Sequence, residues 1–190
     1  MPRLVLATSN LGKLREFREL LAEAACELEG CEPGVAEQSD SYAGNARLKA
    51  EAASRLTGQP ALGDDSGLEV AALDGFPGLQ SRRIAPTQEE RNRIILDRLE
   101  KVPRPWRARF VCAIALAVPG ERTQTFTGVR EGEVTQPRDG GQGFGYDPLF
   151  LVPEVGRTFG ELPAAEKHRW SHRGAAVRAL LDSGALASLT

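Results

Sequence analysis

The chain opens on an unbroken apolar run, Leu4-Val5-Leu6-Ala7, inside the segment Arg3–Thr8, a pattern that predicts a strand covered on both faces. From Gly12 to Ala25 the spacing changes: Leu14, Phe17, Leu20, Leu21 and Ala24 share one helical face, and charges take the rest. Asn45–Leu56 is alanine-rich and reads as a second helix, ended by Gly58-Gln59-Pro60. Pro60–Leu62 and Leu68–Ala72 read as two short strands flanking the acidic turn Gly63-Asp64-Asp65-Ser66-Gly67, or as one strand kinked there. Gly75–Arg83 is a glycine- and proline-rich loop, and Thr87–Val102 an amphipathic helix carrying Ile94, Ile95, Leu96 and Leu99. Two longer strands, Arg107–Val118 and Thr123–Val134, are joined by the hairpin signal Pro119-Gly120-Glu121-Arg122. Residues 137–146 hold four glycines and predict a loop, followed by a short strand at Pro148–Val152. Ser171 is placed to cap a last helix running to about Leu186, with Ala176, Val177, Leu180 and Leu181 inward. Early alternation of helices and strands, with a long hairpin in the middle, predicts an α/β protein on a mixed β-sheet flanked by helices. No internal repeat or long linker interrupts it. The expectation is one domain over 1–190, with any smaller lobe drawn from about 87–135.

Composition narrows the class. With 190 residues, 41% hydrophobic and 26% charged, the chain is ordinary for a globular protein and long enough to hold a core without disulfides or structural metals. A net charge of −2 argues against a nucleic-acid backbone or an anionic membrane as the main partner. The longest apolar run, Phe110–Val118, is nine residues, too short to span a bilayer, and no charged leader or cleavage site precedes Leu4. A cytoplasmic protein is expected. Cys26, Cys31 and Cys112 form neither an even set nor a CxxC pair, and Cys112, inside the apolar run, reads as a small core residue. One skew is informative: of 24 basic residues only Lys13, Lys49, Lys101 and Lys167 are lysines.

Four segments carry chemistry. Thr8-Ser9-Asn10-Leu11-Gly12-Lys13 joins the first strand to the first helix, where free N–H groups and the positive helix end favour an anion and Lys13 can neutralise phosphate. The segment reads equally as a polar helix cap with a surface lysine, and it is not a Walker A loop. The adjacent carboxylates Asp64 and Asp65 point to opposite sides of any extended segment, so only one can face a given site. That one could hold Mg²⁺, which keeps water and phosphate among its ligands, or orient and deprotonate a water; otherwise the pair is a solvated acidic turn. In Gly140–Pro148, glycines permit close approach to a flat ligand and Phe144 or Tyr146 can stack on a base, unless these aromatics simply pack the core. In Lys167–Arg173, His172 and Arg173 sit in the first turn of the last helix, where cations oppose the dipole, which points to an anionic or carbonyl-rich neighbour or else to a surface basic cluster. No Ser–His–Asp arrangement, CxxC pair or HExxH motif supports another catalytic class. Together the segments suggest a nucleotide whose phosphates are bound with Mg²⁺ and whose base is held by the later loops.

With those residues in view, the sequence resembles the Ham1-like inosine/xanthosine triphosphate pyrophosphatases, which remove non-standard purines from nucleotide pools. Six blocks carry the resemblance, in the family's order and across nearly the whole chain: LATSNLGK (6–13), SYAGNARLKA (41–50), GDDSGLEV (63–70), LDGFPGLQSRR (73–83), GFGYDPLF (143–150) and EKHRWSHRGAA (166–176). The resemblance implies an elongated mixed sheet with two lobes around a nucleotide cleft, in a homodimer. It implies hydrolysis of ITP, dITP and XTP to the monophosphate and pyrophosphate, by water attack on the α-phosphorus with Mg²⁺ as cofactor. By the same resemblance, Thr8, Ser9, Asn10, Leu11, Gly12 and Lys13 would bind the triphosphate. Glu37 and Asp65 would hold the metal, with Asp65 also the base toward water. Ser66, Phe144, Gly145, Tyr146, Asp147, Lys167, His172 and Arg173 would contact the rest of the substrate.

The chain departs from the family pattern at Gly44, Gln80 and Arg82. Gly44 stands where the family typically has Glu before Asn-Ala, which removes one acidic contribution near the metal. Gln80 and Arg82 replace the usual Tyr and Ala of the fourth block. Three other readings are carried alongside: a Maf-like pyrophosphatase for modified pyrimidine nucleotides, a non-catalytic purine nucleotide-binding module, and, disfavoured by the charge, a nucleic-acid-binding protein.

Overall fold

The structure, a computed structural model, describes residues 3–24, 26–138 and 143–189. Seven strands form one mixed sheet: β1 (Arg3–Ala7), β2 (Glu27–Cys31), β3 (Ala61–Val70), β4 (Trp106–Ala117), β5 (Gln124–Val134), β6 (Phe150–Val152) and β7 (Arg157–Thr158), in the order β2-β1-β3-β4-β5-β6-β7. β1 runs parallel to both β2 and β3, with Leu4 opposite Leu28 and Leu6 opposite Leu62, whereas β6 is antiparallel to β5 and β7. The helices are α1 (Leu11–Leu20), α2 (Tyr42–Thr57), α3 (Gln88–Leu99), α4 (Ala164–Trp170) and α5 (His172–Asp182). Among the described residues no helix is long and apolar enough to cross a membrane.

The expected mixed α/β architecture is what the chain forms, with differences that have local causes. The acidic segment 63–67 is not a turn: β3 runs unbroken through it for ten residues, because the cations described below neutralise both aspartates. α1 stops at Leu20 and passes into a short 3₁₀ turn at Ala22–Ala24, instead of continuing to Ala25. β2 and α4 were not legible in the sequence. Glu27-Leu28-Glu29-Gly30-Cys31 offers too little apolar alternation, and forms a strand because β1 provides a parallel edge to pair with. The last helix ends at Asp182 rather than near Leu186, and Ser171, in extended conformation, separates it from α4. Of the glycine-rich loop, Gly140, Gly141 and Gln142 lie outside the described residues.

The chain divides into two compact units, Met1–Asp65 with Cys112–Gly128 and Arg173–Thr190, and Ser66–Val111 with Val129–His172. The centre of the long hairpin therefore belongs to the first unit, and the second begins well before residue 87. In the first unit, alternate residues of each strand face different helices. Leu4, Leu6, Leu62, Cys112, Ile114 and Leu116 pack with Phe17 of α1 and Ala176, Val177 and Leu180 of α5. The other face carries small side chains, with Ala113, Ala115 and Ala117 against Ala46 and Ala50 of α2, and Ala61 clustered with Ala53. The second unit is built on larger groups: Leu68, Ile95, Leu99, Trp106, Phe110, Phe150 and Phe159 form its core, with Phe110 and Phe150 centroids 4.7 Å apart.

Candidate active site

In the first unit, the loop from β1 to α1 is ordered by its own side chains. Asn10 caps α1, its Oδ1 accepting from the Gly12 and Lys13 N–H groups at 2.9 and 3.2 Å, while Thr8 Oγ1 accepts from the Asn10 N–H at 3.1 Å. Ser9 and Leu11 face outward, Leu11 with 80% of its surface exposed. The cap aims Lys13 back across the sheet, and its Nζ lies 2.6 Å from Asp64 Oδ1. Arg173, from the start of α5, reaches the same oxygen at 3.5 Å and donates to Glu16 Oε2 of α1 at 2.5 Å. The anionic neighbour that a cation in this helix turn calls for is thus supplied by the protein, and Arg173 is only 3% exposed. Burial alone would raise the Asp64 pKa, but Lys13, Arg173 and Lys49 outweigh it and hold the carboxyl well below its usual range. For Arg173 burial opposes the charge, and Asp64 and Glu16 overcome it, fixing the guanidinium as a cation. The Cys112 thiol donates to Asp64 Oδ2 at 3.6 Å, and burial together with Asp64 pushes its pKa far up, so it stays a neutral thiol.

Asp65 points to the other face of β3, toward α2. Its Oδ2 accepts from Asn45 Nδ2 at 3.0 Å and its Oδ1 lies 3.5 Å from Lys49 Nζ, which also donates to Glu37 Oε1 at 2.7 Å. Lys49 is bracketed by two carboxylates from distant parts of the chain. Burial disfavours its charge, but Asp65, Asp64 and Glu37 together raise its pKa. For Asp65 the balance has the opposite sign: burial raises its pKa, Lys49 pulls it down, and Glu37 pushes it up again, leaving it raised. A carboxylate raised in this way is the better proton acceptor of the adjacent pair.

In the second unit, Asp147 folds the end of the glycine loop. Its Oδ2 accepts from the Phe144 N–H at 2.6 Å and from Lys167 Nζ at 2.8 Å, and Lys167 sits 5.1 Å from the Phe144 ring centroid. Gly143 is required here: its φ is +76°, and a Cβ would lie 2.2 Å from Asp147 Oδ2. Gly145 also has positive φ, at +66°. Tyr146 donates its hydroxyl to the Ser81 carbonyl at 2.6 Å, and burial, against Arg91, pushes its pKa up to about 12, which keeps it a donor. Ser81 Oγ in turn accepts from Leu68 N–H of β3 at 2.9 Å. His172 stacks on Phe110 with centroids 4.5 Å apart and an interplanar angle of 9°. Ser66 is half-buried on β3, directly after Asp65.

Lys13 and Arg173 therefore share Asp64, Glu37 and Asp65 share Lys49, and Phe144, Asp147 and Lys167 form a third group. Asp65 lies on the opposite face of β3 from the Lys13–Arg173 pair. Sequence reasoning missed Asp64 as a hub, together with Asn45, Glu16, Lys49 and Ser81. Lysine scarcity was the available signal for Lys49, since it sits in one of the singled-out blocks. Among the described residues no group of three histidine, cysteine or acidic side chains converges on a metal-sized point. Glu37 and Asp65 converge on the Lys49 ammonium, and a pair of carboxylates is chemically suited to Mg²⁺, which takes one or two protein carboxylates and completes its shell with water and phosphate.

A model of the Ham1 family matches residues 4–183. A dITP/XTP pyrophosphatase of Symbiobacterium thermophilum is 47% identical over 95% of this chain and 93% of its own length, and one of Gloeobacter violaceus 47% identical over 94% and 92%. Among solved structures, a HAM1 protein from Coxiella burnetii superposes with a TM-score of 0.85 at 39% identity, covering 96% of this chain and 98% of that one.

Proposed function

The chain belongs to the Ham1 family, and from that membership and the site's geometry we propose that it hydrolyses ITP, dITP and XTP to the nucleoside monophosphate and pyrophosphate. The observation that carries the reading is the bracketing of Lys49 by Asp65 and Glu37, with Asp65 held at one oxygen by Asn45. In this reading Asp65 orients a water molecule and accepts its proton as the water attacks the α-phosphorus in line. Lys49 supplies positive charge beside that base, and Lys13, released from Asp64 by the arriving phosphates, supplies it at the β1–α1 loop, where the positive end of the α1 dipole adds to it. Glu37 and Asp65 would hold Mg²⁺, which when bound spreads the negative charge that develops on the phosphates. Phe144 offers the base a stacking face, ordered by the Asp147–Lys167 pair. Donors at the base site, His172 and Lys167, select the O6 carbonyl of hypoxanthine or xanthine; an adenine amino group there would leave buried donors unpaired. Arg173 keeps its place by binding Glu16 and Asp64. We assign the working form as a cytoplasmic homodimer on the family resemblance alone.

The test is a panel of triphosphates with pyrophosphate detection, run with Mg²⁺ and with a chelator. ITP, dITP and XTP are expected to yield pyrophosphate only with metal, and ATP and pyrimidine triphosphates to yield little. Release of orthophosphate alone refutes the bond assignment, and binding of ITP without turnover favours a nucleotide-binding module instead.

A further inference from the structure

Helix α3 begins with a complete capping box: Thr87 accepts from the Glu90 N–H, and the Glu90 carboxylate accepts from the Thr87 N–H. Helix α2 has half of that device. Ser41 is its N-cap, and Ser41 Oγ accepts from the Gly44 N–H at 3.2 Å, but Gly44, three residues on, has no side chain to return the bond. Ser39 returns it instead, its Oγ accepting from the Ser41 N–H at 3.3 Å. The same substitution is visible in space. A Cβ on Gly44 would lie 1.9 Å from Ser39 Oγ and 2.7 Å from Ser39 Cβ, so the serine fills the volume a side chain at position 44 would need. Ser39 also touches the chain of contacts that ends at Asp65. Its main-chain N–H donates to Asn45 Oδ1 at 2.9 Å, which fixes the amide so that Nδ2 faces Asp65 Oδ2 at 3.0 Å.

We propose that Ser39 is a positioning residue, standing in for the carboxylate missing at Gly44: it completes the cap of α2 and thereby registers Asn45 against Asp65. The proposal rests on the reading of Asp65 as the base of a pyrophosphatase. It makes Gly44 a change in how the helix is capped, with the reaction centre intact.

Three variants of the full chain test it: Ser39→Ala, Gly44→Glu, and Ser39→Gly combined with Gly44→Glu. Each is measured for ITP turnover with Mg²⁺ and for melting temperature. Ser39→Ala removes the acceptor for Ser41; kcat is expected to fall about 5–10-fold with KM little changed, because a displaced base affects the chemical step more than binding. Its melting temperature is expected to drop by about 2–4 °C, the size of one lost cap. Gly44→Glu alone collides with Ser39 and pulls residue 39 off Asn45, so kcat and melting temperature fall further. The double variant keeps the main-chain donor at 39, vacates the space and completes a capping box; it is expected to regain most of both. The proposal is overturned if Ser39→Ala keeps the parent kcat, or if Gly44→Glu alone performs as well as the double variant. If the parent releases no pyrophosphate from ITP, the functional reading fails separately; the cap then stands on the melting temperature being lost in Gly44→Glu and regained in the double variant, and falls without that pattern.

Discussion

Three of the four lysines, Lys13, Lys49 and Lys167, hold their ammonium groups against carboxylates, with side-chain exposures of 16, 12 and 5%. A chain that otherwise uses arginine places lysine at these three points, where a compact cation sits against carboxylate oxygens. Asp64 and Asp65 divide the consequences between them. Asp64 is ionised because folding favours its charge, so Asp64→Asn leaves Lys13 and Arg173 short of a counter-ion and is expected to cost about 3–5 kcal/mol in urea unfolding. Folding disfavours the charge of Asp65, so Asp65→Asn is expected to leave the urea midpoint unchanged or slightly higher while turnover of ITP falls by roughly 100-fold or more. Turnover near the parent's would remove Asp65 from the mechanism. The conspicuous Asp-Asp pair was readable in the sequence, and so was the rule that its members face apart. Which member meets which cation was not, because the partners come from residues 13, 49 and 173.

At the scale of elements, the contact of α2 with the sheet sets how Asn45 and Lys49 meet Asp65. That contact is close because alanines line it, and Gly63 brings β3 closest: a Cβ there would lie 2.0 Å from the Ala46 carbonyl oxygen and 2.7 Å from the Ala50 nitrogen. Both are backbone atoms and cannot swing aside. Gly63→Ala is expected to push α2 off β3, costing about 1–3 kcal/mol in stability and lowering kcat for ITP through Asn45 and Lys49. Parent-like kcat and unfolding midpoint together would show that the helix has room to move. The elements with strong periodicity, α1, α3, β4 and β5, were legible from their residues. β2 and α4 were not, since a five-residue edge strand and a seven-residue charged helix owe their formation to neighbours more than to their own pattern.

For the molecule as a whole, stability is expected to depend on pH through the buried carboxylate. The folded pKa of Asp64 is depressed, so its contribution is present in full above about pH 5 and is lost as the pH falls through about 4 and below. Asp65, raised, acts with the opposite sign, since its protonation in acid relieves a cost. Urea midpoints taken near pH 6 and near pH 3 are expected to fall steeply in the parent and less in Asp64→Asn; equal falls would assign the acid sensitivity to other groups.

The amino-acid order by itself determined that this chain is a mixed α/β protein, and that a polar strand-to-helix loop and an acidic pair punctuate it. Those signals are local, carried by hydrophobic spacing, helix caps and glycine, and each is complete within a few residues. Only the tertiary structure decided that Asp64 serves Lys13 and Arg173 while Asp65 serves Lys49 and Asn45, and that Ser39 fills the place left by Gly44. Those pairings join residues far apart in the chain, or depend on the volume one side chain leaves for another, and neither is written in any single stretch of sequence.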